Sequence, residues 1–253
     1  MITVTDQVGN TITLKYYPKR IVSLVPSQTE LLHYFGLESE TLGLTKFCIH
    51  PQSWHQTKIR VGGTKNLDLD KIKSLEPDLI IANKEENTKE QIEALQSQFV
   101  VYVSDVNTIT EAYEMIKHIG VLCNKEQVAV DLIDEIQEGF AEIKQVHKRV
   151  LYFIWKDPYM VCGANNFINS VLNEIGLYNV ISKPRYVEIN ADDINDLQAD
   201  CILLSTEPYP FKEEHLIEMQ SYTNAEVKIV DGELFSWYGS RMLLMKDYFN
   251  NLF

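Results

Sequence analysis

Two similar three-layer α/β lobes, joined by one long helix and enclosing a ligand cleft, make up the architecture the sequence predicts. Three observations carry it. Short β-branched apolar runs alternate with segments of helical period along most of the chain. A central stretch from Lys125 to about Lys148 places Val128, Leu132, Ile136, Phe140 and Ile143 at helical spacing. A set of residues also recurs at a fixed offset: Ile72, Leu75, Asp78 and Ile80 reappear as Ile194, Leu197, Asp200 and Ile202, each 122 positions on, and Asp70/Asp192 and Glu85/Glu207 share that offset. Leu32, Gly36 and Leu37 match Leu172, Gly176 and Leu177 at 140. Chance similarity between βα units is the competing explanation. A true duplication puts the ligand in the groove between lobes, where clefts at the ends of open sheets collect ligands.

The elements follow in order. Ile2 to Thr5 and Thr11 to Leu14 flank a Gly9-Asn10 turn and read as a hairpin. Arg20 to Val25 is a buried-strand run. Ser27 and Glu30 then stand three apart, as a capping box for a helix over Leu31 to Phe35 that Gly36 ends. Further units read as helix Asp70 to Leu75, strand Asp78 to Ala82, helix Lys89 to Gln96 and strand Phe99 to Val103. Helices follow over Thr108 to Leu122 and from Lys125, the second capped by Asn124 with Gln127 completing a box. At about 24 residues and 1.5 Å per residue the central helix is roughly 36 Å long. Beyond it strand–helix alternation resumes with Val150 to Trp155, Phe167 to Ile175, Asp192 to Leu197 as the counterpart of helix Asp70 to Leu75, Cys201 to Ser205, Glu213 to Met219 and Glu226 to Val230. The expected divisions are 1–123, 124–148 for the helix, and 149–253.

Composition narrows the function. Thirty-six acidic residues against 23 Lys+Arg leave a net charge of −13 in 253 residues, with a pI near 4.9. Nucleic acid and anionic membrane surfaces are poor partners for such a chain, because both demand a surplus of cations. No apolar run approaches the roughly 18 residues of a membrane span. Met1 to Asp6 runs straight into strand pattern without a basic, apolar leader, so either secretion is absent or a leader was removed. Cys48, Cys123, Cys162 and Cys201 form no C-x-x-C pair and read as free thiols, Cys201 within a buried strand.

Catalytic signatures are missing: there is no G-x-S-x-G, H-E-x-x-H, Walker or G-x-G-x-x-G motif. Gly62-Gly63-Thr64-Lys65 reads as a tight turn. This pattern favours binding over catalysis. Aromatic loops follow the strands at Phe47 to Pro51, Trp155 to Met160, Tyr209 to Phe211 and Phe235 to Tyr238; such rings either pack on their lobe or line a site for a large flat ligand. Cys48 and His50 lie two apart, but two ligands do not make a metal site, which leaves His50 as an axial or cleft contact. Lys65, Lys156 and Arg241 suit carboxylate, amide or phosphate groups, or solvent.

The runs Arg20 to Glu30 (RIVSLVPSQTE), Asn66 to Ile72 (NLDLDKI) and Glu76 to Ala82 (EPDLIIA) resemble the cobalamin- and iron-complex-binding proteins of ABC importers, the class III or helical-backbone solute-binding proteins. The resemblance covers nearly the whole chain. It implies a non-catalytic receptor, needing no cofactor, that captures a metal complex and delivers it to a permease. The implied ligand is a corrinoid such as cobalamin, with haem or a ferric siderophore as alternatives; a cytoplasmic corrinoid-handling protein or enzyme is the reading from another class. The family works in the periplasm or as lipoproteins, which implies a periplasmic monomer without membrane insertion.

By position, Phe47 falls where the family has a cleft tyrosine, Tyr186 where it has a tryptophan, Tyr159 or Met160 at another aromatic, and Glu233 to Trp237 in the last cleft loop. Thr64 and Asn83 stand where cobalamin binders carry tryptophans. The expected ligand face is thus Phe47, His50, Lys65, Asn83, Tyr159, Met160, Tyr186, Glu233, Phe235, Trp237 and Arg241. The resemblance also carries permease docking onto Asp70 and Asp192. Complementing a helix dipole is the competing role for two acidic residues near helix starts.

Overall fold

The computed structural model describes residues 1–253 and divides into two compact units. The first comprises Met1–Val106, Thr110–Ile136 and Tyr238–Arg241; the second comprises Asn107–Ile109, Gln137–Trp237 and Met242–Phe253.

In the first unit, strands β1 (Ile2–Thr5) and β2 (Thr11–Leu14) pair antiparallel around the expected turn, with Gly9 at φ +92°. Behind them lies a five-stranded, all-parallel sheet of order β5-β4-β3-β6-β7: β3 (Ile21–Ser23), β4 (Thr41–Leu44), β5 (Ile59–Arg60), β6 (Leu79–Asn83) and β7 (Val101–Ser104). Parallel neighbours need crossovers, supplied by α1 (Pro26–Tyr34), α2 (Gln52–Thr57), α3 (Leu69–Ser74) and α4 (Lys89–Gln96). Every residue of β3, β6 and β7 is buried, so the sheet is covered on both faces, as a three-layer lobe requires. Val22, Leu24, Ile72, Ile80, Ala82, Leu95 and Val103 form one of its cores. Asp6 ties the hairpin to this sheet. Buried to 4% exposure, its Oδ1 accepts from Asn10 N (2.7 Å) and its Oδ2 from Asn10 Nδ2 (3.0 Å) and Val103 N (3.2 Å).

The second unit carries a six-stranded sheet of order β11-β9-β8-β12-β13, with β10 also on β8. Here β8 is Lys148–Trp155, β9 Met160–Cys162, β10 Leu177–Asn179, β11 Tyr186–Glu188, β12 Cys201–Ser205 and β13 Glu226–Val230. The strands β10, β8, β12 and β13 run parallel, while β9 and β11 add an antiparallel edge. Helices α7 (Phe167–Glu174), α8 (Glu213–Gln220), α9 (Glu233–Ser236) and α10 (Met245–Leu252) complete it.

The expected duplication is visible in hydrogen bonding. In the first unit Arg20 Nε and NH2 donate to Leu75 O, Glu76 turns left-handed at φ +43°, and Asp78 N bonds Arg20 O at 2.8 Å while Asp78 Oδ2 accepts from Lys19 N. In the second, Arg149 NH2 donates to Leu197 O, Gln198 sits at φ +49°, and Asp200 N bonds Arg149 O at 2.8 Å while Asp200 Oδ2 accepts from Arg149 N. The same clamp thus fixes the entry of β6 beside β3 and of β12 beside β8.

Several expectations need correction. The first helix starts a turn early, because Pro26 occupies N1, where its fixed φ and missing N–H cost nothing; Ser27 lies inside the helix and Glu30 makes no capping box. The helix expected over 124–148 is α6 (Glu126–Ala141), 16 residues, after α5 (Ile109–Leu122). Asn124 is not its cap. At φ +57° it ends α5 in a Schellman turn, Lys125 N bonding Gly120 O at 2.7 Å. Gly120 is needed there, since a Cβ would fall 2.6 Å from Ala129 Cβ of α6. At its far end α6 tightens through Ile143 N to Phe140 O, and Asn250 Oδ1 then takes Lys144 N. The segment expected as helix over Asp192 to Leu197 is two 3₁₀ turns, Ala191–Asp193 and Asn195–Leu197. Its Asn and Asp side chains compete for local hydrogen bonds, as Asn190 Nδ2 to Asp193 Oδ2 shows.

Replacing Asp6 by Ala leaves buried N–H groups without an acceptor. Denaturant unfolding should register a loss of about 1–3 kcal/mol; an unchanged midpoint would mean the hairpin is not held by this carboxylate.

Candidate functional site

In an open parallel sheet the loops beyond the carboxyl ends of the strands are where ligands are met, because the crossovers leave that edge uncovered. In the first unit these loops follow β4, β5 and β6. After β4 the chain alternates: Phe47 is 50% exposed and Ile49 42%, while Cys48 is buried, its Sγ 3.1 Å from Thr29 Oγ1 and 3.2 Å from Thr45 Oγ1. Burial pushes the Cys48 thiol up, which disfavours the thiolate a metal needs. No group of three or more His, Cys, Asp and Glu is placed to hold a metal ion. His50 lies half-buried at the end of this loop.

The Phe47 ring rests against the turn Gly62 to Asn66, which closes through Gly63 N to Asn66 O at 2.8 Å. Gly62 (φ +99°) is obligatory, since a Cβ would meet Asn66 O at 2.5 Å; a Cβ on Gly63 would press on Phe47 Cε2 at 3.2 Å. Lys46, Phe47, Arg60, Gly63, Thr64 and Lys65 line an open depression of about 630 Å³ here, and Lys46 Nζ stands 5.0 Å from the ring centroid. Lys65 is exposed and donates to Glu85 O.

Asn83, expected on the ligand face, is 3% exposed and saturated. Its Nδ2 donates to Ser104 O (3.1 Å), Ser104 Oγ (3.0 Å) and Tyr238 Oη (2.9 Å), and its Oδ1 accepts from Glu85 N and Glu86 N. Arg241 belongs to this unit and is 9% exposed, its Nε and NH2 gripping Glu30 Oε2 and Oε1 at 2.8 and 3.0 Å. That bidentate pair occupies the carboxylate the capping box would have used.

In the second unit the loops follow β8, β12 and β13. Trp155 is 40% exposed and meets Tyr209 edge-on at 5.7 Å; Tyr209 continues onto Phe211 and His215. Tyr159 is half-buried, its ring on Phe153 and its hydroxyl 2.7 Å from Glu218 Oε1. Lys156 pairs with Glu218, and these two donors hold the Glu218 carboxyl below its ordinary range. Met160 and Tyr186 lie half-buried on the antiparallel edge, the Arg185 guanidinium 5.9 Å from the Tyr186 centroid. Glu233 opens α9; Phe235, fully buried, packs on Tyr152 and Phe249 in the core. Trp237 is 9% exposed and donates Nε1 to Glu207 Oε2 at 3.2 Å. Among the rings at these carboxyl ends, the exposed ones are Phe47 and Trp155. Trp155 was missed as a site residue although its loop was singled out, because strand alternation does not tell the last residue of a strand from the first of the loop.

Asp70 lies in the first turn of α3 with its side chain 98% exposed, 3.9 Å from Lys73 Nζ; Asp192 is exposed in the first 3₁₀ turn. Each precedes the carbonyl that the arginine of its own unit grips, Leu75 O and Leu197 O.

Comparison with known proteins gives consistent matches. A family model described as periplasmic binding protein matches residues 21–226. An uncharacterised ABC transporter substrate-binding lipoprotein, YvrC of Bacillus subtilis, is 28% identical over 216 residues, covering 80% of this chain and 68% of its own. A possible iron-binding periplasmic solute-binding protein from Staphylococcus epidermidis superposes with a TM-score of 0.79 at 23% identity, over 94% of this chain and 100% of that one. The vitamin B12-binding protein BtuF of Vibrio cholerae does so with a TM-score of 0.75 at 20% identity, over 93% and 96%. At these identities the two structures share the fold.

Since Arg241 is committed to Glu30, Arg241→Ala should cost about 3 kcal/mol of stability by leaving a largely buried carboxylate unpaired. Lys65→Ala should leave the unfolding midpoint nearly unmoved. Equal effects of the two would contradict the structural role of the Glu30–Arg241 pair.

Proposed function

The chain belongs to the periplasmic binding protein family, and on that premise we propose that it is the receptor of an ABC importer for a metal complex, with a corrinoid such as cobalamin as its ligand. Proteins of this family bind a substrate and present it to a permease; they are not enzymes. No helix is long and apolar enough to cross a membrane. The family is periplasmic or lipoprotein-anchored, which supports work outside the cytoplasmic membrane; the proposed receptor is a monomer with no resident cofactor.

The observation carrying the ligand reading is a pair of open rings on carboxyl-end loops, Phe47 in one unit and Trp155, backed by Tyr209, in the other. An exposed ring held by a backing suits a large flat ligand, which can stack on its face. His50, Lys65, Tyr159, Met160, Tyr186, Glu233 and Trp237 are the further proposed contacts. A second reading, haem or a ferric siderophore, is favoured by the cations Lys46, Arg60 and Lys65 around Phe47, which suit carboxylates. Exposed Asp70 and Asp192 are the proposed docking residues for permease cations.

Visible absorption titration with aquocobalamin, haemin and a ferric siderophore in parallel tests the ligand class. A saturable shift with aquocobalamin alone is expected; a shift with haemin or the siderophore alone moves the assignment to an iron complex. Phe47→Ala should weaken the bound complex by roughly 1–3 kcal/mol, the usual worth of an aromatic anchor, without altering stability. The double variant Asp70→Ala/Asp192→Ala should keep ligand affinity and lose transport; undiminished uptake would refute docking.

A further inference from the structure

His215 is the third residue of α8, 9% exposed, and its two ring nitrogens are both engaged. Nδ1 lies 2.9 Å from Lys212 N, and Nε2 lies 3.1 Å from Tyr209 Oη. A backbone amide can only donate, so Nδ1 is the acceptor and the single ring proton sits on Nε2, donated to Tyr209. The imidazole thereby takes the place that Glu or Gln occupies in a capping box. It holds the first turn of α8 and the preceding loop as one piece, with Tyr209 and Phe211 rings edge-on to it at 5.4 Å. Tyr209 in turn backs Trp155.

We propose that His215 is a positioning residue that makes the Trp155–Tyr209 face depend on pH: the neutral ring latches the Tyr209 to Lys212 loop, and protonation releases it. A second ring proton, on Nδ1, would point at the Lys212 N–H, so that the capping bond is lost and two donors face each other. Nε2 keeps its bond to Tyr209, and the strain therefore falls on the Lys212 end of the loop. The charged groups facing the ring are Glu214 and Glu218 on α8, the former 4.0 Å from Nε2; Lys156 and Tyr159 reach Glu218 from the β8–β9 loop. Lys212 and Tyr209 face it from the loop itself. The consequence for the ligand rests on the corrinoid reading above, whereas the latch does not.

Amide hydrogen exchange of the ligand-free protein, corrected for intrinsic rates, tests the latch between about pH 7.5 and pH 5, where histidines change charge. Residues 209–216 should lose protection roughly fivefold on acidification, the worth of about one hydrogen bond. In His215→Gln, whose amide accepts from Lys212 N without titrating, the profile should be flat. A flat wild-type profile, or the same acid loss in the variant, overturns the proposal. Nitrogen chemical shifts of His215 in the wild type provide a check that needs no variant: protonated Nδ1 at about pH 7.5 would overturn it too. Aquocobalamin affinity, measured across the same range, should fall about fivefold in the wild type only. Loss of protection with pH-independent affinity would sever the latch from binding; no binding at either pH would instead refute the corrinoid reading and leave the latch standing.

Discussion

Parallel pairing of β3 with β6, and of β8 with β12, is the constraint on which the rest of the molecule depends. Strands that run the same way can be joined only by a crossover, so each helix is obliged to carry the chain back along the sheet before the next strand starts. Within each sheet the carboxyl ends of the parallel strands then open on one edge, where most loops lead into a crossover and only the β8–β9 loop closes a hairpin. Phe47, the Gly62 turn and Tyr209 occupy loops at these edges, and Trp155 ends β8. The clamp of Arg20 on Leu75 O, with Asp78 on the Lys19 amide, sets where the strand after the crossover begins. Arg149, Leu197 and Asp200 do the same for the other unit.

That clamp explains why the 122-residue repeat was legible at all. Its positions are those where side-chain identity matters to backbone geometry: an apolar pair beneath the helix, an aspartate at the strand entry. Elements set by long apolar periodicity or by buried β-branched runs were likewise readable, and α4, β12 and β13 fall on the expected residues. Short elements held by neighbours were not. The two residues of β5 and three of β10 carry too little pattern to distinguish from loop, and owe their pairing to β4 and β8. Local polar signals misled where a stronger constraint competed. Pro26 overrode the Ser27–Glu30 box, and Asn124, which reads equally as a helix start or a left-handed stop, became the stop because Gly120 and Ala129 bring α5 and α6 close.

For the candidate site, sequence position located the loops better than it located the exposed atoms within them. Phe47, Asp70 and Asp192 are open, as their proposed roles need. Asn83, at the end of β6, Phe235, within α9, and Arg241 are absorbed instead by Ser104 and Tyr238, by Tyr152 and Phe249, and by Glu30. A residue's partner is a three-dimensional fact; Glu30 and Arg241 are 211 positions apart, and no local pattern announces their pairing.

The four cysteines, all buried and unpaired, have a practical consequence for solution chemistry. Burial pushes the thiols of Cys123 and Cys162 up to about 12 and that of Cys201 to about 11, and raises Cys48 as well. Near neutral pH fewer than about one in a thousand of the Cys123, Cys162 and Cys201 thiols is the reactive thiolate. The native protein is therefore close to inert toward maleimides and iodoacetamides, and a single cysteine introduced on its surface would take a dye or spin label almost alone, without any native cysteine having to be removed.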